Sequence, residues 1–123
     1  MKNQAYRMAM LFDFYGDLLT ERQREFYDLY YNEDLSLAEI AENYGISRQG
    51  VRDVIVRAEA AMTEIEDKTH IIRRFQQSKA PLAAINAAAD RLLHAVNTRS
   101  YNDAMLDEIA HIIKENTAKL EQE

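Results

Sequence analysis

Residues 36–61, SLAEIAENYGISRQGVRDVIVRAEAA, constrain what this chain can fold into more than any other stretch. Ser36 and Glu39 stand at the Ser-x-x-Glu spacing of a capping box, in which hydroxyl and carboxylate each satisfy an amide N–H left over at a helix start. The spacing predicts a short helix from Leu37 that buries Leu37, Ile40, Ala41 and Tyr44. It ends at Gly45, the residue that most readily takes the left-handed conformation. A turn of three or four residues follows, in which Ile46 plugs the angle between two helices and Ser47 is a second N-cap. Val51, Val54, Ile55 and Ala58 then give the next helix a single apolar stripe. Two helices joined by so short a turn read as a helix-turn-helix.

The outer face of the second helix carries Arg48, Gln49, Arg52 and Asp53 on its first turns and Arg57 one turn on. When the N-terminal part of such a helix enters a major groove, Arg pairs with guanine and Gln with adenine. The competing reading is a helical hairpin with a solvated charged face. Overall charge bears on the choice. A net charge of −6 argues against sequence-blind attraction to phosphate, which depends on Lys and Arg. The charge is uneven, however: residues 1–46 carry four basic and nine acidic side chains, residues 47–80 seven and five, and residues 81–123 four and seven. Only the third that begins at the second helix is net positive, so the expected affinity for DNA or RNA is modest and salt-dependent.

The rest of the chain reads as support. Met8, Leu11, Phe12, Tyr15, Leu18 and Leu19 form one face of an amphipathic helix, with Met10 and Phe14 on an adjacent face, so this helix must be covered from two sides, by its own chain or another subunit. Thr20 and Gln23 repeat the capping-box spacing. Phe26, Leu29 and Tyr30 give the next helix its buried side, flanked by Tyr27 and Tyr31; aromatics so spaced are core residues with polar tips before they are base-stacking platforms. From Val51 the apolar spacing continues towards Ile72, either as one extended helix or with a break near residues 67–69. It serves as a dimerising stalk or packs against the first helix. Arg73, Arg74 and Lys79 make a second basic cluster around Phe75. Pro81 predicts a helix boundary and the junction between a domain of residues 1–80 and a C-terminal piece of residues 81–123. In that piece Leu82, Ile85, Ala89, Leu92 and Val96, a short turn at residues 97–100, and Met105, Leu106, Ile109, Ile112, Ile113 and Leu120 predict an antiparallel hairpin. It packs on the first domain or on a second subunit. The fold class is therefore all-α.

No catalytic or metal constellation stands out. Glu66 and His70, Asp90 and His94, and Asp107 and His111 are spaced by four, which reads as surface pairs rather than metal ligands. No cofactor is implied and the expectation is not an enzyme. Zero cysteines exclude disulfides and thiol chemistry, and the absence of a long apolar run or a leader pattern predicts a cytoplasmic protein without a membrane span.

Residues 19–61 resemble the fourth region of bacterial sigma factors, a four-helix module that reads a promoter element. MAMLFDFYGDLLTERQ together with SLAEIAENYGISRQGV is more closely similar to the small bacterial YlxM family, the likeness covering residues 6–75. That resemblance implies a cytoplasmic sigma-like helix-turn-helix protein and, through genes commonly found beside those of the signal recognition particle, a regulatory part in that pathway. It places Ser47, Arg48, Gln49 and Arg52 at groove-facing positions and Arg57 towards the nucleic-acid backbone. Gly50 inside the second helix, Asp53 on its reading face and the acidic first helix pair depart from the pattern. The expected activity is nucleic-acid binding, as a homodimer and with components of the signal recognition particle as further partners. A protein-interaction module that keeps the fold without nucleic-acid contact is the alternative.

Overall fold

The computed structural model describes residues 2–122. Six α-helices follow one another: α1 Lys2–Tyr15, α2 Glu21–Tyr31, α3 Leu37–Tyr44, α4 Arg48–Thr69, α5 Ile71–Thr98 and α6 Asp103–Glu121, with a single 3-10 turn at Gly16–Leu18 and no strand among the described residues. They divide into two compact units, residues 1–72 and 73–123.

In the first unit α4 is the common neighbour of α1, α2 and α3. Its stripe of Val51, Ile55, Ala58 and Met62 is buried against Met8, Leu11 and Tyr15 of α1, Phe26 and Tyr27 of α2, and Ile40 and Ala41 of α3. Leu19, Leu29, Leu37, Tyr44, Ile46 and Val54 pack around that core in partly buried positions. Leu18 departs from its expected place. The α-helix stops at Tyr15, the 3-10 turn changes the angular step, and the Leu18 side chain is 68% exposed. Tyr27, expected beside the buried stripe, is fully buried, stacks on Phe12 with ring centroids 5.3 Å apart, and donates its hydroxyl to the Met8 carbonyl at 2.8 Å. That bond pins α2 to α1 while satisfying the one polar atom of a core residue.

The stripe that runs on from α4 breaks at His70, in the left-handed region with φ 54°. Glu66 does not pair with His70 as the i,i+4 spacing suggests. Its Oε1 instead accepts the Tyr15 hydroxyl at 2.5 Å and the Ile72 N–H at 2.9 Å, so a carboxylate in the last turn of α4 caps the start of α5. Thr69 shares the corner, donating to the Ile65 carbonyl at 2.8 Å.

In the second unit the expected helix boundary at Pro81 is absent, for α5 runs through it. Two local features stand beside the interior proline. The pyrrolidine ring is buried, and Ser78 Oγ donates to the Phe75 carbonyl at 2.7 Å in the preceding turn. The buried seam of α5 is Pro81, Ala88 and Ala95 with Ile85 and Leu92 half-buried, whereas Leu82 and Val96, expected in the stripe, are exposed. Across from that seam, Ile109 and Asn116 of α6 are buried in turn. An Arg91–Glu108 ion pair at 3.2 Å joins the two helices of this hairpin. The connection lies slightly later than expected, with Arg99 at φ 51° ending α5 and Asn102 capping α6 through the Met105 N–H at 2.9 Å.

Candidate nucleic-acid interface

Ser36 Oγ accepts from the Glu39 N–H at 3.1 Å while the Glu39 carboxylate accepts from the Ser36 N–H at 3.2 Å, so α3 starts with a complete capping box. It ends at Gly45, with φ 66° and ψ 33°, and the N–H groups of Gly45 and Ile46 both run to the Ala41 carbonyl. A Cβ at residue 45 would meet nothing within 4 Å, so the glycine is required by backbone handedness and not by space. Ile46 packs into the core below the turn, and Ser47 Oγ accepts from the Gly50 N–H at 2.9 Å to open α4. A three-residue turn thus aims the start of α4 outward while its opposite side is locked in the core.

Ser47, Arg48, Gln49 and Arg52 are all exposed and gather on the first turn and a half of α4. Ser47 has one lone pair committed to the cap and keeps its hydroxyl proton for an acceptor such as phosphate. Gln49 Nε2 donates to Asp53 Oδ1 at 2.9 Å. Asp53, read from sequence as an intrusion on the reading face, therefore positions the Gln49 amide, whose carbonyl and second N–H remain available for the bidentate pattern that reads adenine. Arg57 is exposed too but stands apart: nine residues from Arg48 is about 180° round a helix of 3.6 residues per turn. It lies on the opposite edge of the exposed arc, where it suits a flanking phosphate better than a base.

Gly50 occupies the third position of α4, and a Cβ there would sit 3.1 Å from Ser47 Oγ, the capping acceptor. Its place in a helix, a cost from propensity alone, gives the cap room. One contact beside the helix pair was not visible in the sequence. Tyr44, an expected apolar stripe residue, donates its hydroxyl to Glu25 of α2, and this bond raises the Tyr44 pKa. Nothing in the local spacing of either residue signals it, because the two meet only when α2 and α3 pack. Beyond Arg57 the surface changes sign. Arg7, Val56, Glu59, Ala60, Thr63, Glu64 and Asp67 line a shallow, largely acidic groove along the rest of α4.

This arrangement of capped short helix, left-handed glycine and outward second helix is matched by a family model. UPF0122, described as "Putative helix-turn-helix protein, YlxM / p13 like", covers residues 2–100. The chain belongs to this family. The match runs through α5, beyond residue 75, where the sequence resemblance ends. Among curated UPF0122 proteins, that of Desulforamulus reducens is 49% identical over 82 residues, 66% of this chain and 70% of its own. That of Lacticaseibacillus casei is 40% identical over 114 residues, 93% of this chain and 95% of its own, and that of Shouchella clausii 43% over 100 residues, 80% and 92%. The UPF0122 description is that of a helix-turn-helix protein and names no reaction. Among the described residues no helix is long and apolar enough to cross a membrane.

Proposed function

We propose that this UPF0122 protein is a nucleic-acid-binding regulatory or accessory factor that reads its target with the first two turns of α4, acts in the cytoplasm as a homodimer, and takes part in the signal recognition particle pathway. The observation that carries the reading is the convergence of Ser47, Arg48, Gln49 and Arg52 at the exposed start of a helix whose other side is held in the core. An α-helix about 10–12 Å across fits the major groove of B-form DNA, about 12 Å wide, whereas the deep, narrow groove of duplex RNA does not admit it. The geometry therefore favours duplex DNA or an opened RNA loop. The tie to the signal recognition particle rests on the YlxM resemblance alone.

Selection from random pools of double-stranded DNA and of RNA, followed by anisotropy titration of the enriched sequence, tests this. Arg48→Ala should weaken binding by about 1–3 kcal/mol if the contact is to a base. With Arg48, Arg52 and Arg57 as the cations, the slope of log affinity against log salt should be no steeper than about −3 per chain. An Arg48→Ala protein that binds the selected sequence as well as the parent refutes the recognition-helix reading. Failure of both pools, with partners retained from cytoplasm after nuclease treatment, favours the protein-interaction module.

A further inference from the structure

We propose that the outward face of α4 beyond Val56 is a docking groove for a basic amphipathic helix of a partner protein. The groove is independent of the nucleic-acid reading above, for it lies on the other half of α4. Val56, Ala60, Thr63 and Asp67 follow one another at steps of four, three and four, and at about 100° per residue they fall within an arc of about 60°. That arc lies about 140° round the helix from Val51, Ile55, Ala58 and Met62, which the core holds. So α4 carries two seams, one buried in its own fold and one turned outward. Val56 is 50% exposed, Ala60 is exposed and Thr63 half-buried. With Arg7 of α1 along the edge, the outward seam forms an open groove of about 560 Å³ within the first unit.

The spacing fixes the shape of the occupant. Steps of four and three are those of the d and a positions of a heptad, the seam on which a second helix seats its side chains. From Val56 to Asp67 the line runs about 16 Å, three turns, at 1.5 Å per residue. Valine, alanine and threonine are small, so they leave room for larger apolar side chains on the helix that lies against them. This is the helix-in-groove mode, anchored by apolar residues at three-four spacing.

The flanks fix its charge. Glu59 and Glu64 stand at the g and e positions on either side of the seam and Asp67 closes its end; in paired helices the e and g charges set partner choice. Of the described residues that line the groove, three are carboxylates, Glu59, Glu64 and Asp67, against the single guanidinium of Arg7. Lys68 pairs with Glu64 at 2.9 Å, but the two side chains are 73% and 67% exposed, and so open a pair is readily exchanged for a better one. A polyanion is repelled from such a rim, and a second copy of the same face would bring like charges together. A helix with Lys or Arg beside an apolar seam complements both the floor and the rim.

Anisotropy titration of labelled helical peptides of about three heptads against the intact protein tests this. One peptide has leucine at a and d with lysine at e and g, a second has glutamate at e and g, and a third has the residues of the first in scrambled order. The lysine peptide should bind at micromolar concentration and release as salt rises, with the other two at least tenfold weaker. Val56→Asp should weaken the lysine peptide at least tenfold, and Glu59→Lys/Glu64→Lys should transfer the preference to the glutamate peptide, helix content being checked by circular dichroism. A lysine peptide that does not bind, or a scrambled one that binds as well, overturns the inference. So does binding that either folded variant leaves unchanged, which would put the peptide elsewhere on an acidic protein. Should Val56→Asp lose helix content, the charge reversal decides alone. Light scattering covers the second copy: a dimeric parent that Val56→Asp reduces to the 14.3 kDa of one chain has this groove filled by itself, and the partner helix is overturned. The nucleic-acid reading is decided separately, by Arg48→Ala.

Discussion

Replacing Glu66 probes the corner at which the first unit ends. One carboxylate oxygen receives both the Tyr15 hydroxyl and the Ile72 N–H, so Glu66 ties α1 to α4 and supplies the cap that α5 cannot draw from its own residues. A hydrogen bond to a charged acceptor is worth about 1.5–3 kcal/mol, and two that share an oxygen are less than additive. Glu66→Ala should therefore cost about 2–4 kcal/mol. Glu66→Gln keeps an acceptor but loses the charge that favours a helix N-terminus, and should cost about 1 kcal/mol. Tyr15→Phe should cost about 1.5–3 kcal/mol, because it removes the hydroxyl that donates to the charged carboxylate and meets Thr69 Oγ1 at 3.2 Å, but it leaves the Ile72 cap intact. Urea titration followed by circular dichroism checks this. With a slope of about 1.5–2 kcal/mol per molar urea, Glu66→Ala should lower the midpoint by about 1–2.7 M. An alanine variant with the parent's midpoint, or one indistinguishable from the glutamine variant, refutes the claim that a charged cap holds this corner.

Gly45→Ala isolates backbone handedness, because a Cβ there clashes with nothing; at φ 66° the loss should be about 1–2 kcal/mol in the same titration, and a loss below about 0.5 kcal/mol would show the turn can be made another way. Alkaline pH acts through the tyrosines. Burial, with Tyr31 beside it, pushes the Tyr27 hydroxyl far above its usual 10.0, and burial and Glu66 raise that of Tyr15. A pKa raised on folding means the folded state holds its proton longer, so this stability is complete below pH 10 and is lost as pH climbs beyond it. Thermal melts should fall steeply above about pH 10, and Tyr27→Phe should flatten that fall; a parallel decline in both proteins would place the titration elsewhere.

What could be read in advance was local. Ser36 with Glu39, Thr20 with Gln23, Gly45 and Ser47 act on amides within four residues of themselves, and each does in three dimensions what its spacing implies. What escaped depends on contacts across the chain. Glu66 looked like a partner for His70 because only the helical repeat was visible, whereas Tyr15 and Ile72 claim it once α1 packs on α4. Pro81 looked like a stop because an interior proline usually is one. Its ring is buried along the same seam as Ala88 and Ala95, and that burial offsets the lost hydrogen bond. Spacing alone places Leu82 and Val96 in the core, yet the buried line of α5 runs through the small residues Ala88 and Ala95 and leaves both exposed.

The charge along α4 bears most directly on how the protein would engage a target. Its first ten residues carry Arg48, Arg52 and Arg57 against Asp53; the remaining twelve carry Glu59, Glu64, Glu66 and Asp67 against Lys68. The helix macrodipole adds positive potential to the basic end. A polyanion is therefore attracted to the first half and repelled by the second, and the boundary lies about 15 Å along the axis at 1.5 Å per residue. Under the proposed function such a helix would enter a groove by its N-terminus and not lie along it. Because the whole chain is at −6, general attraction to phosphate would supply little free energy, and under the proposed function most would have to come from directional contacts of Arg48, Gln49 and Arg52. The proposed function therefore carries the expectation of weak binding to arbitrary sequence, with discrimination concentrated in three side chains. A dimer that brings two such ends to one target would raise affinity by linkage without adding a single phosphate contact per chain, leaving the salt dependence of each recognition helix shallow.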